Sequence, residues 1–380
     1  MSDATDDVED GTQLDLIEHL AEDEEARLEA AEPFASAEPI SYFGTDFDVH
    51  GLVRRLNEED IVVPNFNPPN DPNNDLAGFQ RAFVWRKYQM DRFVESLLLG
   101  YPVPGIFLVQ QSDRKLLVLD GQQRLRTLQR FYDGTLEDGS EFKLEQVGDD
   151  FRDKTYATLP IEERRALDNN FIHATVIKYD PDSGGDESIY QLFERLNASG
   201  SNLYPHEIRV ALYPGELVDF VSDLNTQSAW RDLYGSVSPR LKDQEQILRF
   251  LALYTESATY KRPLKGFLNS FLKAHRNLEG LDAKALASRF EETCRTLAAG
   301  PGNRAFRATK VVNAALVDSV MVGMARRLEQ GPVSDPSKIS AAIAGLLADN
   351  EFQTSIARAT ADEERVATRL NKATEAFVAL

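Results

Sequence analysis

The chain has one cysteine, Cys294, in 380 residues. No internal disulfide can form, and with five scattered histidines a thiolate zinc site is excluded as well. A reducing cytoplasm is the expected compartment. No stretch approaches the roughly 18 consecutive apolar residues of a membrane span. Residues Met1 to Asp10 are acidic and lack an apolar run, so a secretory leader is not expected. The phosphate-binding pattern G-x-x-x-x-G-K-[ST] is missing, which excludes an ordinary P-loop. Internal repeats and heptad runs are missing too. What is present is 42% apolar and 27% charged, an ordinary globular composition, long enough for two or three units.

The net charge is −20, which taken alone argues against nucleic acid as a partner. Its distribution changes that reading. Residues 1–40 hold 14 of the 62 acids and one of the 42 bases, Arg27, leaving 48 acids against 41 bases for 41–380. The first 40 residues therefore read as an acidic, disordered arm. A solubilising tail is the plain reading of that arm, and a DNA mimic that occupies a basic groove is the sharper one. The body is only mildly acidic and leaves room for a local basic groove.

The pattern along the chain predicts an α+β protein with an α/β unit over 41–185 and a helical unit over 186–380. Val49 to Leu56 has helical spacing, and Ile61-Val62-Val63-Pro64 reads as a short strand. Asn65 to Gly78, rich in Asn, Pro and Asp, is a surface loop. Arg86 to Leu99 carries Met90, Phe93, Val94, Leu97 and Leu98 on one helical face and stops at Gly100 and Pro102. Ile106 to Val109 and Leu116 to Leu119 read as strands joined through Ser112-Asp113. A short helix near Ile161 to Asp168 and a strand Ile172 to Lys178 follow, then a turn-rich break over Pro181 to Asp186. Helices are expected at 188–197, 205–212, 216–224, 244–254, 264–274, 283–298, 310–328, 339–347 and 363–376, a bundle packed beside the α/β unit.

The chemistry concentrates in Lys115 to Phe131. A buried strand ends at Leu119, Asp120-Gly121 makes the turn, and a helix starts at once. Asp120 suits the N-cap, accepting from the amides of Gln122 or Gln123. Leu125, Leu128 and Tyr132 are spaced to face the core, leaving Gln122, Gln123, Arg126 and Arg130 nearer the open side. A helix N-terminus at the carboxyl edge of a sheet offers aligned, unpaired N–H groups to an anion. Arg124 in the first turn adds a planar fork suited to phosphate oxygens. The bland alternative is a well-capped helix whose arginines are merely solvated.

Three runs in order carry a resemblance: Phe79-Gln80-Arg81-Ala82-Phe83-Val84-Trp85, then Val94 to Pro104, then Val118-Leu119-Asp120-Gly121-Gln122-Gln123-Arg124-Leu125-Arg126-Thr127-Leu128. Together they resemble the N-terminal domain of GmrSD-type modification-dependent restriction enzymes. Phe193 to Leu203 with Glu207, and Lys242 to Phe250, extend the similarity to roughly 45–280. The resemblance implies a ParB/sulfiredoxin-like fold for the first unit, with nucleoside triphosphate bound and often hydrolysed in defence against foreign or modified DNA.

Carried onto this sequence, Asp120, Gln123 and Arg124 are the expected catalytic residues. Gln80, Arg81, Gly121, Gln122, Arg126, Thr127, Arg195 and Asn197 are expected to bind the nucleotide. Trp85 reads as a core anchor. No protein-held metal is expected, and Mg2+ brought with the nucleotide is left open. DNA and an effector protein are the further partners implied, and the oligomeric state is open. Relatives often carry an HNH nuclease, whose metal chemistry needs clustered histidines. Residues 200–380 hold only His206 and His275, so that activity is not expected. A non-hydrolysing nucleotide switch and a nuclease using Asp120 and Glu207 with magnesium are the rival readings.

Overall fold

The computed structural model describes residues 39–64, 85–111, 113–178, 186–197, 204–238 and 240–380. The acidic arm, the Asn/Pro loop with the Gln80-Arg81 segment, and the Pro181 turn lie outside the described residues. The chain divides into two compact units that meet in sequence between Leu203 and Tyr204.

The first unit is built on a five-stranded mixed sheet. Its strands are β1 (Ser41–Asp48), β2 (Ile61–Val62), β3 (Ile106–Gln110), β4 (Leu116–Asp120) and β5 (Phe171–Lys178), in the order β1-β5-β3-β4-β2. β5 pairs antiparallel with β1 and parallel with β3. β4 pairs antiparallel with β3 and parallel with β2. The apolar runs at 106–109 and 116–119 thus form the two central strands beside β5, where continuous hydrophobic sequence is expected. β1 is an addition to the expected set. It is mostly exposed, so it lacks the apolar face by which sequence announces a strand.

Helices α1 (Val49–Asn57), α2 (Lys87–Leu98), α3 (Gln122–Asp133) and α4 (Ile161–Asp168) belong to this unit. The start of α1 is fixed by Asp48, whose carboxylate accepts from the Gly51 amide at 2.6 Å. Leu52, Val94, Leu97, Ile106, Leu108, Val118, Leu125, Leu128 and Phe131 share one core. Val109, Leu117, Leu119 and Ile177 are buried outside that core. α5 (Asp186–Asn197) packs on β4 and buries Ile189, Tyr190 and Phe193. Sequence spacing puts α5 in the helical unit, whereas its contacts group it with the sheet.

The second unit is helical: α6 (Pro205–Leu212), α7 (Glu216–Asn225), α8 (Ser228–Tyr234), α9 (Lys242–Glu256), α10 (Leu264–Ala274), α11 (Ala283–Ala299), α12 (Ala314–Leu328), α13 (Ser337–Ala348), α14 (Asn350–Ala357) and α15 (Glu363–Val378). The α+β organisation therefore stands as expected. α8 and α14 were not expected, and α12 begins at Ala314 because Asn313 caps it, accepting from the Leu316 amide at 2.9 Å. Trp230, Phe250, Leu268, Phe290, Phe306 and Met321 lie in one core. Among the described residues no helix is long and apolar enough to cross a membrane.

Candidate functional site

The site expected from sequence is the junction of β4 and α3. Gly121 is the N-cap of α3, with φ of +100°. A Cβ there would stand 2.4 Å from Ile106 Cγ2. The left-handed backbone and the close approach of β3 both demand glycine. No side chain caps the helix. The expected capping role of Asp120 is accordingly corrected: Asp120 is the last residue of β4, one position too early to cap.

Its carboxylate turns instead to Arg124, with Oδ2 accepting from Nη2 at 2.5 Å. Nη1 of the same guanidinium donates to the carbonyl of Pro104 at 2.6 Å and to that of Gly105. Arg124 thereby ties the turn to the start of β3. The fork is thus engaged on protein acceptors, and its side chain is only 13% exposed. What the junction leaves open is main chain, namely first-turn amides without a capping side chain, aligned with the helix dipole.

Gln122 and Gln123 are half-buried at this junction. Gln123 Oε1 accepts from the Trp85 amide at 3.3 Å, so this glutamine fastens the approach to α2 beside the turn. Trp85 packs edge-on against Phe93, ring centroids 5.4 Å apart, and joins the margin of the core as expected. Thr127 is fully buried and its hydroxyl donates to the Gln123 carbonyl at 2.7 Å, a bond within the helix. Arg126 donates to Gln129 Oε1 at 3.0 Å. Burial and then the neighbouring Arg130 lower its pKa, against the pull of Glu137. Arg130 itself pairs with Glu137 at 2.9 Å.

The other expected residues fall elsewhere. Arg195 is exposed on α5. Asn197 closes that helix, and its side chain, like Gln80 and Arg81, lies outside the described residues. Glu207 is fully buried in the second unit. Its carboxylate accepts from the Tyr204 amide at 2.6 Å and from Arg240 at 3.1 and 3.2 Å. Among the described residues no three acids, histidines or cysteines are grouped as metal ligands would be. Asp120 gives Oδ2 to Arg124, and its side chain is 40% exposed.

Sequence reading missed a buried ionic network on the helical unit. Glu245 is shared by Arg209 and Lys242, each at 3.0 Å. Asp318 is shared by Arg249 at 2.7 Å and Arg369 at 2.8 Å. Burial costs each charge its hydration, and multiple partners per carboxylate offset that cost.

Strand, glycine turn and arginine-anchored helix together define a mixed α/β domain with a strand–turn–helix at its centre. Residues 64–214 match the model of the GmrSD restriction endonuclease, N-terminal domain, so this part of the chain is similar to that family. The match spans the Gln80-Arg81 segment, the turn at 120–124 and α6. No curated protein matches the chain.

Proposed function

We propose that the chain is the nucleotide-binding component of a restriction-like defence system, with nucleoside triphosphate as ligand at the β4–α3 turn. Similarity of residues 64–214 to that family points to restriction-like defence. The observation that carries the nucleotide reading is the uncapped start of α3 behind Gly121. Aligned amides at the end of a central strand favour phosphate oxygens by hydrogen bonding and by the helix dipole.

In this reading the phosphates lie on the amides of Gln122, Gln123 and Arg124, and the Gln122 side chain supplies a further donor. Asp120 and Arg124 act as positioning residues that fix the turn. Arg81 and Gln80 are assigned to the same ligand on family resemblance alone. Any hydrolysis would draw on preorganised donors that stabilise charge developing on the γ-phosphate.

The engagement of Arg124 by Asp120, Pro104 and Gly105 favours a second reading, binding without turnover. A nucleotide switch needs the amides but no cation on the transferred phosphoryl group. A panel of nucleoside triphosphates, followed by equilibrium binding and by phosphate release with and without DNA, separates the two. Binding with release supports the hydrolase, and binding without release supports the switch. Absence of binding by every nucleotide overturns both.

A further inference from the structure

β1 lies at the edge of the sheet and pairs with β5 through all eight of its residues without a register shift. The Val49 amide donates to the Asn170 carbonyl at 2.9 Å, the next residue pair in that register. Bonded and non-bonded pairs alternate along an antiparallel ladder, so Phe43, Thr45 and Phe47 bond inward to β5. The amides and carbonyls of Tyr42, Gly44 and Asp46 therefore point to the outer edge. They meet no partner there among the described residues. Ser41, Tyr42, Phe43 and Gly44 are exposed and uncharged. Proteins blunt a free edge with proline, lysine, a bulge or a very short strand. β1 has none of these.

From this edge we infer that β1 pairs antiparallel with β1 of a second copy of the chain, about a two-fold axis at Gly44. With Gly44 opposite itself, Tyr42, Gly44 and Asp46 exchange all their outward bonds with the same three residues of the second copy. Tyr42 then lies opposite Asp46 of the second copy. Phe43 lies opposite its Thr45, an aromatic and β-branched pair in the closer, non-bonded position. No two acids are opposed. An axis at Asp46 would oppose two carboxylates. An axis at Thr45 would need the carbonyl of Asp48, which as N-cap of α1 gives that group to the helix. The chain that leads into β1 sets the direction of the pairing. Residues 1–40 carry 14 acids against one base. Antiparallel strands bring these segments in at opposite ends, about 20 Å apart and beyond the screening length of about 8 Å. Parallel strands would bring them in side by side. The sheet edge is separate from the turn at Gly121, and the inference stands independently of the nucleotide reading.

The test is sedimentation equilibrium of the full chain over a range of protein and salt concentrations. Expected is a monomer–dimer equilibrium in the micromolar range, since edge pairing buries less than a standard interface. Each chain carries a net charge of −20, so added salt should tighten the dimer. Tyr42 is 67% exposed, and its replacement spares the core. Tyr42→Glu sets a carboxylate opposite Asp46 at two symmetric places and should weaken the dimer about tenfold. Tyr42→Lys sets an ammonium at the same places and should tighten it. The same two exchanges at Val378, exposed in the helical unit, should move the equilibrium by less than about twofold. A wild-type chain that is monomeric throughout overturns the inference and leaves the edge to a strand of another protein. A dimer indifferent to Tyr42→Glu, or weakened equally by Tyr42→Lys, overturns it as well. Equal effects at Val378 would trace the response to net charge and overturn it too. Circular dichroism checks the fold of each variant, and Tyr42→Lys decides alone if Tyr42→Glu does not fold.

Discussion

Arg124 reaches back one helical turn to Asp120, closing a 2.5 Å ion pair across Gly121. The same guanidinium binds the carbonyls of Pro104 and Gly105, so strand end, glycine turn, helix start and β3 are held by one side chain. Preorganisation of this kind keeps free amides in place without a capping residue.

Arg124→Ala should therefore destabilise the first unit. Asp120 is 40% exposed, so solvent screens the ion pair, and most of the loss comes from two carbonyls deprived of a charged donor. A cost of about 1–3 kcal/mol is expected, read as a lower denaturation midpoint at unchanged m-value. Arg124→Lys should recover little, because one ammonium cannot span three acceptors in a plane. Full recovery by lysine would show that charge alone matters.

Gly121→Ala should be more damaging. A left-handed backbone costs a non-glycine residue about 1–2 kcal/mol, and the added methyl would overlap Ile106 Cγ2. Loss of cooperative unfolding in the first unit is the expected outcome of a thermal scan. A variant as stable as wild type would contradict the described turn.

Acid should weaken the helical unit through His206. Its ordinary pKa is 6.5, and in the folded chain it is pushed down to about 3. Above pH 6.5 both states hold it neutral. Between 6.5 and 3 the unfolded chain takes up a proton that the folded chain refuses, so stability falls as pH falls through that window. Glu245, held low by Lys242 and Arg209 against its own burial, acts in the same direction at lower pH. Replacing His206 by Phe should flatten the stability profile between pH 6.5 and about 4.5. An unchanged slope would remove His206 from the acid response.

Asp318→Ala should cost about 3–5 kcal/mol, since it removes the buried carboxylate that Arg249 and Arg369 share. Both are buried, and Asp318 is held ionised by them despite its burial. Urea unfolding of the variant checks this, and a loss below about 1 kcal/mol would mean that water reaches the pair.

Much of the first unit was legible because its signals are local. The apolar runs of β3 and β4, the Asp-Gly turn and the periodic face of α3 sit within a few residues of one another. Misreadings arose where a contact decided between neighbours. Asp120 was expected as a cap, yet Gly121 takes that place because β3 crowds the turn. Phe131 occupies the core where Tyr132 was expected. Tyr132 packs at the core's margin and sends its hydroxyl to Asp168 at 2.6 Å. β1 stayed invisible because its pairing with β5 spans more than a hundred residues and leaves its side chains exposed. The buried ionic network was hidden for a related reason. Lys242 to Gln246 has the composition of a solvated helix start, yet these residues are buried. Their partners are distant in sequence: Arg209 for Glu245, and Asn225 and Arg231 for Asp243.

The central claim is that phosphate rests on the first amides of α3, and Gln122→Glu tests it most directly. A carboxylate at the first helical position stabilises the helix through its dipole but repels a bound triphosphate. The account predicts an unchanged or raised melting temperature together with at least a tenfold loss of nucleotide affinity by calorimetry. Nucleotide binding as tight in Gln122→Glu as in the wild type would contradict it.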